Sequence, residues 1–184
     1  MGVIYPGTCS EKNLKFTNSI NLRVRTHHAY ISFHDNHFGN QYCNLSSDSG
    51  DYVIYRADNL PSYILAVSID DVCEDYSEIV RGADLLDITH RQIHLSTLIF
   101  NRSPKFMHIP IVIDENGEKL SKKNQAPALS KYHARTWLYY ALSDLGQEPP
   151  RSLLWRPLWC SWEWAITHWQ PQNIPHQQTI IFSH

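Results

Sequence analysis

Residues Glu118 to Leu129 read EKLSKKNQAPAL, and the reading of this stretch governs the rest of the chain. Lys119 and Lys122 lie three apart around Leu120 and Ser121, and Lys123 follows directly. Gly117 and Pro127 bracket the lysines with a flexible and a rigid end. A lysine ammonium is a compact point charge suited to phosphate oxygens. A closing loop that carries such charges neutralises a phosphoryl leaving group in the transition state. On charge alone, a solvated lysine-rich turn fits the same residues.

Upstream of the lysines, Asn116-Gly117 marks a tight turn, and Phe106 to Ile113 reads as a strand that Pro110 pushes toward an edge or an irregular course. Thr89 with Gln92 three residues on has the spacing of a capping box, which predicts a helix that buries Ile93, Leu95, Leu98 and Ile99. Ile79 and Val80 suggest a short strand stopped by Gly82. Tyr63 to Ile69 is rich in β-branched residues and reads as a strand by propensity, closed by Asp70 and Asp71. Tyr52 to Tyr55, Gln41 to Leu45 and Tyr30 to Phe33 are further short strands, with a polar loop from Ser46 to Asp51. Ile20, Leu22 and Val24 alternate with polar neighbours as a half-buried strand does.

Downstream, Leu138, Ala141, Leu142 and Leu145 recur at helical spacing, and Gly146 is a natural helix stop. Pro149 and Pro150 begin a linker. Trp159, Trp162, Ile166 and Trp169 form a second helical stripe, ended by Pro171 and Pro175. These tryptophans, with Trp155 and Trp164, read as helix-packing residues, and their density leaves an exposed apolar patch as the alternative. The pattern shifts from mixed strand and helix to all helix at about Ala134.

The chain has 184 residues, 42% of them hydrophobic, enough for one packed domain or one domain and a small appendage. Sixteen Lys and Arg against 18 Asp and Glu leave a net charge of -2, so any RNA contact must come from a local basic patch. Cys9, Cys43, Cys73 and Cys160 form no CxxC pair. The chain opens without a signal-peptide pattern and lacks the ~18-residue apolar run of a membrane span. A cytoplasmic protein with reduced thiols and no membrane partner is the expectation.

KLSKK resembles the second signature of class I aminoacyl-tRNA synthetases, in the form used by glutamate-type enzymes. Its continuation through Asn124, Ala126, Pro127, Ala128 and Leu129 is similar to the glutamyl-Q tRNA(Asp) synthetases. Glutamate-tRNA ligases usually have arginine, histidine and glycine there. DNLPSYILAVSIDD (58–71), IVRGADLL (79–86), Thr89-His90-Arg91-Gln92-Ile93 and His108-Ile109-Pro110 resemble that family in order and spacing. The resemblance runs from Ile4 to about Gly146, and more weakly to Pro175.

The resemblance implies an α/β fold: the second half of a class I synthetase nucleotide-binding, Rossmann-type catalytic domain with a small strand-rich insertion, then a helical C-terminal part. The expected organisation is an insertion and zinc-region segment over 1–50, the second half of the catalytic domain over 51–133, and a helical subdomain over 134–184. The family has a helix where propensity suggests a strand at Tyr63 to Ile69. Tyr63 and Arg81 would contact the substrate glutamate, since a guanidinium fork holds a carboxylate by two parallel hydrogen bonds. Surface ion pairing with Asp84 or Asp87 is the plain alternative for Arg81, and a core aromatic the alternative for Tyr63. Lys122 would contact ATP with its Mg, and Lys119 would belong to the same mobile catalytic signature. In the family a zinc is held by a Cys-x-Cys pair, then a tyrosine and a cysteine four residues apart. Tyr5 and Cys9 resemble the second half of that site. Two ligands do not close a structural zinc site, and nothing in the sequence argues for Cys43 or His27 standing in. The expectation is no tight zinc and a free Cys9 thiol.

The implied function is ATP-dependent activation of glutamate, through a glutamyl-adenylate, and its transfer to the queuosine base of tRNA(Asp). No counterpart of the first class I signature, which holds ATP at a helix N-terminus, is found. Two other readings follow: a non-catalytic remnant or one half of a split synthetase whose N-terminal half is separately encoded, and a truncated glutamate-tRNA ligase. The early end after Pro149 and the Asn124 to Leu129 pattern speak against the last.

Overall fold

The computed structural model describes residues 4–10, 12, 14, 15, 17, 19–121, 129 and 133–182. It divides into two compact units, one comprising 1–81 with 85–108, the other 82–84 with 109–184.

In the first unit, β1 (Leu22–Val24) pairs antiparallel with β4 (Tyr52–Tyr55). A four-stranded sheet has the order β3-β2-β6-β5, where β2 is Tyr30–Asp35, β3 Gly39–Asn44, β5 Glu78–Gly82 and β6 Lys105–Ile109. The β2–β3 hairpin is antiparallel from Tyr30↔Asn44 to Asp35↔Gly39, and β2 joins β6 in parallel at Asp35↔Phe106. Its turn needs Gly39, whose φ is +71°. Parallel neighbours need a long crossover, and helices α2 (Tyr63–Cys73) and α3 (Leu86–Phe100) lie in the intervening chain. Leu45, Tyr52, Ile64 and Leu95 form the buried core, with Val24, Ile31, Ile54 and Leu65 packed on it.

The β-branched run at 63–69 is helical, as the resemblance implies and against its propensity. The Ser62 hydroxyl caps α2 by accepting the Leu65 N–H at 3.3 Å, and Ile64, Ser68 and Val72 face inward at a spacing of four. A cap worth ~1 kcal/mol plus a buried stripe outweighs a propensity cost of a few tenths per residue. The capping box at Thr89 is a correction: α3 begins after Leu85 with no side-chain cap, and Thr89 sits inside its first turn, donating back to the Leu85 carbonyl at 2.9 Å. Leu95 is buried, but Leu98 and Ile99 are exposed, because the inward face of α3 also carries Thr89, His90, Gln92 and Ser96. The expected loop at 46–51 holds a one-turn helix, α1 (Leu45–Asp48), capped by Asn44.

In the second unit, the strand expected over 106–113 is split at Pro110, with β7 (Ile111–Ile113) continuing after it. Proline lacks the N–H a ladder needs. β7 pairs in parallel with β8 (Thr179–Ile181), so the C-terminal region is not wholly helical. The turn at Asn116-Gly117 is formed: Asp114 Oδ1 accepts the N–H groups of Asn116 and Glu118, and Gly117 has φ +81°. α4 (Ala134–Asp144) ends before Gly146, whose φ is +71°. α5 (Leu158–His168) turns Ser161 and Ala165 inward, while Trp159 is 65% and Ile166 78% exposed. The stripe of Trp159, Trp162, Ile166 and Trp169 therefore faces outward, and the packing reading of it is overturned.

Candidate active site

The site is built around Arg81 on β5. Its guanidinium donates from Nε to His108 Nε2 at 3.0 Å, from Nη1 to Gln92 Oε1 at 2.8 Å and from Nη2 to Thr89 Oγ1 at 2.8 Å. It also lies 5.0 Å over the Phe106 ring. Thr89, Gln92 and His108 are fully buried. The surface ion pair with Asp84 or Asp87 is thus not what holds Arg81.

Behind His108 stands Asp35, also fully buried. His108 Nδ1 and Asp35 Oδ2 are 2.6 Å apart, and the His108 backbone N–H points at the same carboxylate. Asp35 Oδ1 accepts the backbone N–H groups of His37 at 3.0 Å and Phe38 at 2.8 Å, which fastens it to the β2–β3 turn. Burial pushes the Asp35 carboxyl up, but the hydrogen bonds from the His108 ring and these N–H groups outweigh it and hold the group below the usual carboxylate range. Because His108 Nε2 accepts from Arg81, the ring proton sits on Nδ1 and is donated to Asp35.

Tyr63 is the first residue of α2, 51% exposed. Burial lowers the Arg81 pKa, and the neighbouring Tyr63 and Asp71 oppose that shift. Tyr63 therefore lies within electrostatic reach of Arg81. Asp71 on α2 accepts the Gln92 Nε2–H at 2.6 Å. Its carboxyl is raised by burial, with the Gln92 hydrogen bond and Arg81 opposing. The result is a cationic fork in a polar cradle with a phenol beside it, a shape suited to a carboxylate.

Lys119 donates to Asp84 Oδ2 at 2.5 Å in the second unit. Lys122 and residues 123–128 lie outside the described residues. Tyr5 and Cys9 are adjacent, the Cys9 N–H donating to the Tyr5 hydroxyl at 2.8 Å, with the Arg23 guanidinium 4.2 Å over the Tyr5 ring. They supply two donors, and among the described residues no group of three or more His, Cys, Asp or Glu is placed to hold a metal. Cys43 packs on the core. Tyr5 and Cys9 by themselves supply two of the four ligands of a closed zinc site. Two surface depressions, one lined by Phe33, His34 and Phe106 among others and one by Val72, Tyr76 and Arg102 among others, include neither Tyr63 nor Arg81.

Residue reading did not single out Asp35 or His108 as site residues. His108 carried a signal as the first residue of His-Ile-Pro, whereas Asp35 carried none, since a buried aspartate is indistinguishable in sequence from one in a turn. Among the described residues, no helix is long and apolar enough to cross a membrane.

Residues 10–143 match the family of tRNA synthetases class I (E and Q), catalytic domain. A glutamyl-Q tRNA(Asp) synthetase of Aromatoleum aromaticum is 41% identical over 95% of this chain and 55% of its own length. That of Thiobacillus denitrificans is 39% identical over 97% of this chain and 59% of its own. This chain therefore spans somewhat more than half the length of these relatives. A crystal structure of glutamate-tRNA synthetase from Elizabethkingia anophelis superposes with a TM-score of 0.62 at 18% identity, over 84% of this chain and 34% of that one. At that identity the likeness concerns the fold, and it agrees with the α/β catalytic domain expected.

Proposed function

We propose a function that starts from one fact: the chain belongs to the family of class I tRNA synthetase catalytic domains of the E and Q group, which are ligase-type enzymes. It is read as the glutamate-recognising part of a glutamyl-Q tRNA(Asp) synthetase. In that reaction ATP, with Mg, activates glutamate as the adenylate, and the glutamyl group passes to the queuosine base of tRNA(Asp). The reading rests on one observation, the anchoring of the Arg81 guanidinium at three N–H groups by buried acceptors with the Tyr63 hydroxyl beside it. A carboxylate gains most from a fork that is already oriented, because no side-chain ordering remains to be done on binding. Tyr63 adds one hydroxyl on a rigid ring. Lys119 and Lys122 are assigned to the phosphates of ATP.

A second reading is that it recognises glutamate and completes the reaction together with the remaining part of such an enzyme. Glutamate-dependent ATP–pyrophosphate exchange on the purified chain, with Lys122→Ala and Arg81→Ala as controls, tests both. Exchange that is lost in both controls supports the full activity. Glutamate binding without exchange supports the second reading. Absence of glutamate binding overturns both.

A further inference from the structure

We propose that Asp35 and His108 are positioning residues for Arg81, fixing its guanidinium through Nε so that the terminal nitrogens are presented to the substrate carboxylate. This rests on the glutamate-recognition reading above. The three residues stand on β2, β6 and β5, which are adjacent in the sheet. The relay therefore runs across three strands whose spacing the backbone ladder sets. It starts at the β2–β3 turn, where the N–H groups of His37 and Phe38 orient the Asp35 carboxylate. It continues through Asp35 Oδ2 to His108 Nδ1 at 2.6 Å and from His108 Nε2 to Arg81 Nε at 3.0 Å.

Only one arrangement of protons satisfies the chain. Arg81 has no acceptor, so His108 Nε2 must be bare, and Nδ1 must carry the proton that Asp35 accepts. Thr89 Oγ1 lies 3.1 Å from His108 Nε2 and takes the Nη2–H, so one edge of the fork is closed by the two side by side. Three of the five guanidinium N–H groups are used in this way, counting the one on Gln92. The other two are both on the Nη atoms, and they are the ones a carboxylate would take. A buried aspartate and histidine contribute little stability after desolvation. Aiming a third group gives the pair a role beyond stability.

The test is isothermal titration of L-glutamate into the purified chain, with thermal unfolding as the fold control and ¹⁵N NMR of the histidine rings. Wild type should show a His108 ring protonated at Nδ1. Asp35→Asn keeps the shape but places an amide donor toward His108. The ring then protonates at Nε2, and its N–H meets that of Arg81, the kind of wrong-tautomer defect an aspartate-to-amide change produces. The glutamate Kd should rise about tenfold or more, as for loss of a hydrogen bond to a charged group. His108→Asn should do the same. His108→Gln, which returns an acceptor near the Nε2 position, should restore binding to within about threefold of wild type. A role in stability alone would not separate Asn from Gln in binding. An Nε2-protonated ring in wild type overturns the proposal, and so does unchanged affinity in Asp35→Asn and His108→Asn. If Asp35→Asn fails to fold, the pair of His108 variants decides. If wild type does not bind glutamate, the functional reading falls and this proposal with it, so the two failures are separable.

Discussion

Gln92 accepts the Arg81 Nη1–H at its Oε1, 2.8 Å away, and this contact fixes which way the Gln92 amide points. With the oxygen toward Arg81, the NH₂ faces Asp71 and donates to Oδ2 at 2.6 Å. The amide thus separates a cation from a carboxyl group that burial has already raised. Gln92→Glu should place a second carboxylate against Asp71 and a permanent counter-ion on Arg81. Like charges in a buried site raise one of the two pKa values further, and the fork would be occupied by an internal carboxylate. Glutamate affinity is expected to fall by at least about tenfold, and the unfolding midpoint to drop. Calorimetric titration and thermal denaturation of the variant check both.

Asp35 and Asp71 should respond to acid with opposite signs. The Asp35 pKa is held below its unfolded value, so the stability it contributes is present above that value, about 3.9, and is lost as pH falls through the folded value. The Asp71 pKa is raised, so its ionisation costs stability near neutrality, and the cost is relieved on acidification. Urea unfolding from pH 3 to 7 should show a steeper loss below about pH 4 in wild type than in Asp35→Asn. Asp71→Asn should instead gain relative stability toward pH 7.

Ser62→Ala tests the link between the helix cap and the site. The hydroxyl accepts the Leu65 N–H, and Tyr63 begins the same helix. Loss of the cap should cost about 1 kcal/mol by urea denaturation. It should also weaken glutamate binding, because a frayed first turn no longer holds Tyr63 beside Arg81.

What could be read from sequence divides along a physical line. Strands β2, β3 and β4 and the turn at Asn116-Gly117 were legible because their signals are local: alternation, β-branched content and turn chemistry. α2 was not legible from residues, since Val67 and Ile69 favour strands and the decisive terms are the Ser62 cap and a buried stripe. The inward face of α3 was misread because Thr89, Gln92 and Ser96 are polar and fully buried, which periodicity of apolar residues cannot detect. Tyr63 and Arg81 came from resemblance to a family. Asp35 and His108 are 73 residues apart, and only the parallel pairing of β2 with β6 brings them together.

Gly146 ends α4 in a left-handed conformation, φ +71°, and a Cβ there would lie 2.1 Å from the Asn173 carbonyl oxygen. Gly146→Ala adds the left-handed penalty of ~1–2 kcal/mol to a clash with backbone that cannot rotate away. A loss of about 2 kcal/mol or more is expected in chemical denaturation, with the second unit affected first.

The outward stripe of α5 makes the opposite demand. Trp159 on α5 is 65% exposed, whereas Ala165 on the same helix is buried, and Trp155, in the short 3-10 turn before α5, is 83% exposed. If the tryptophans packed the interior, replacing one by a small residue would cost about 3–5 kcal/mol. As placed, Trp155→Gln and Trp159→Gln should each change unfolding free energy by no more than about 0.5 kcal/mol, because an exposed side chain loses little on truncation. Ala165→Leu should cost about 1–3 kcal/mol by overfilling the packed side. Denaturant titrations of the three variants decide between the two orientations. A large loss at Trp159 with tolerance at Ala165 would turn the helix around.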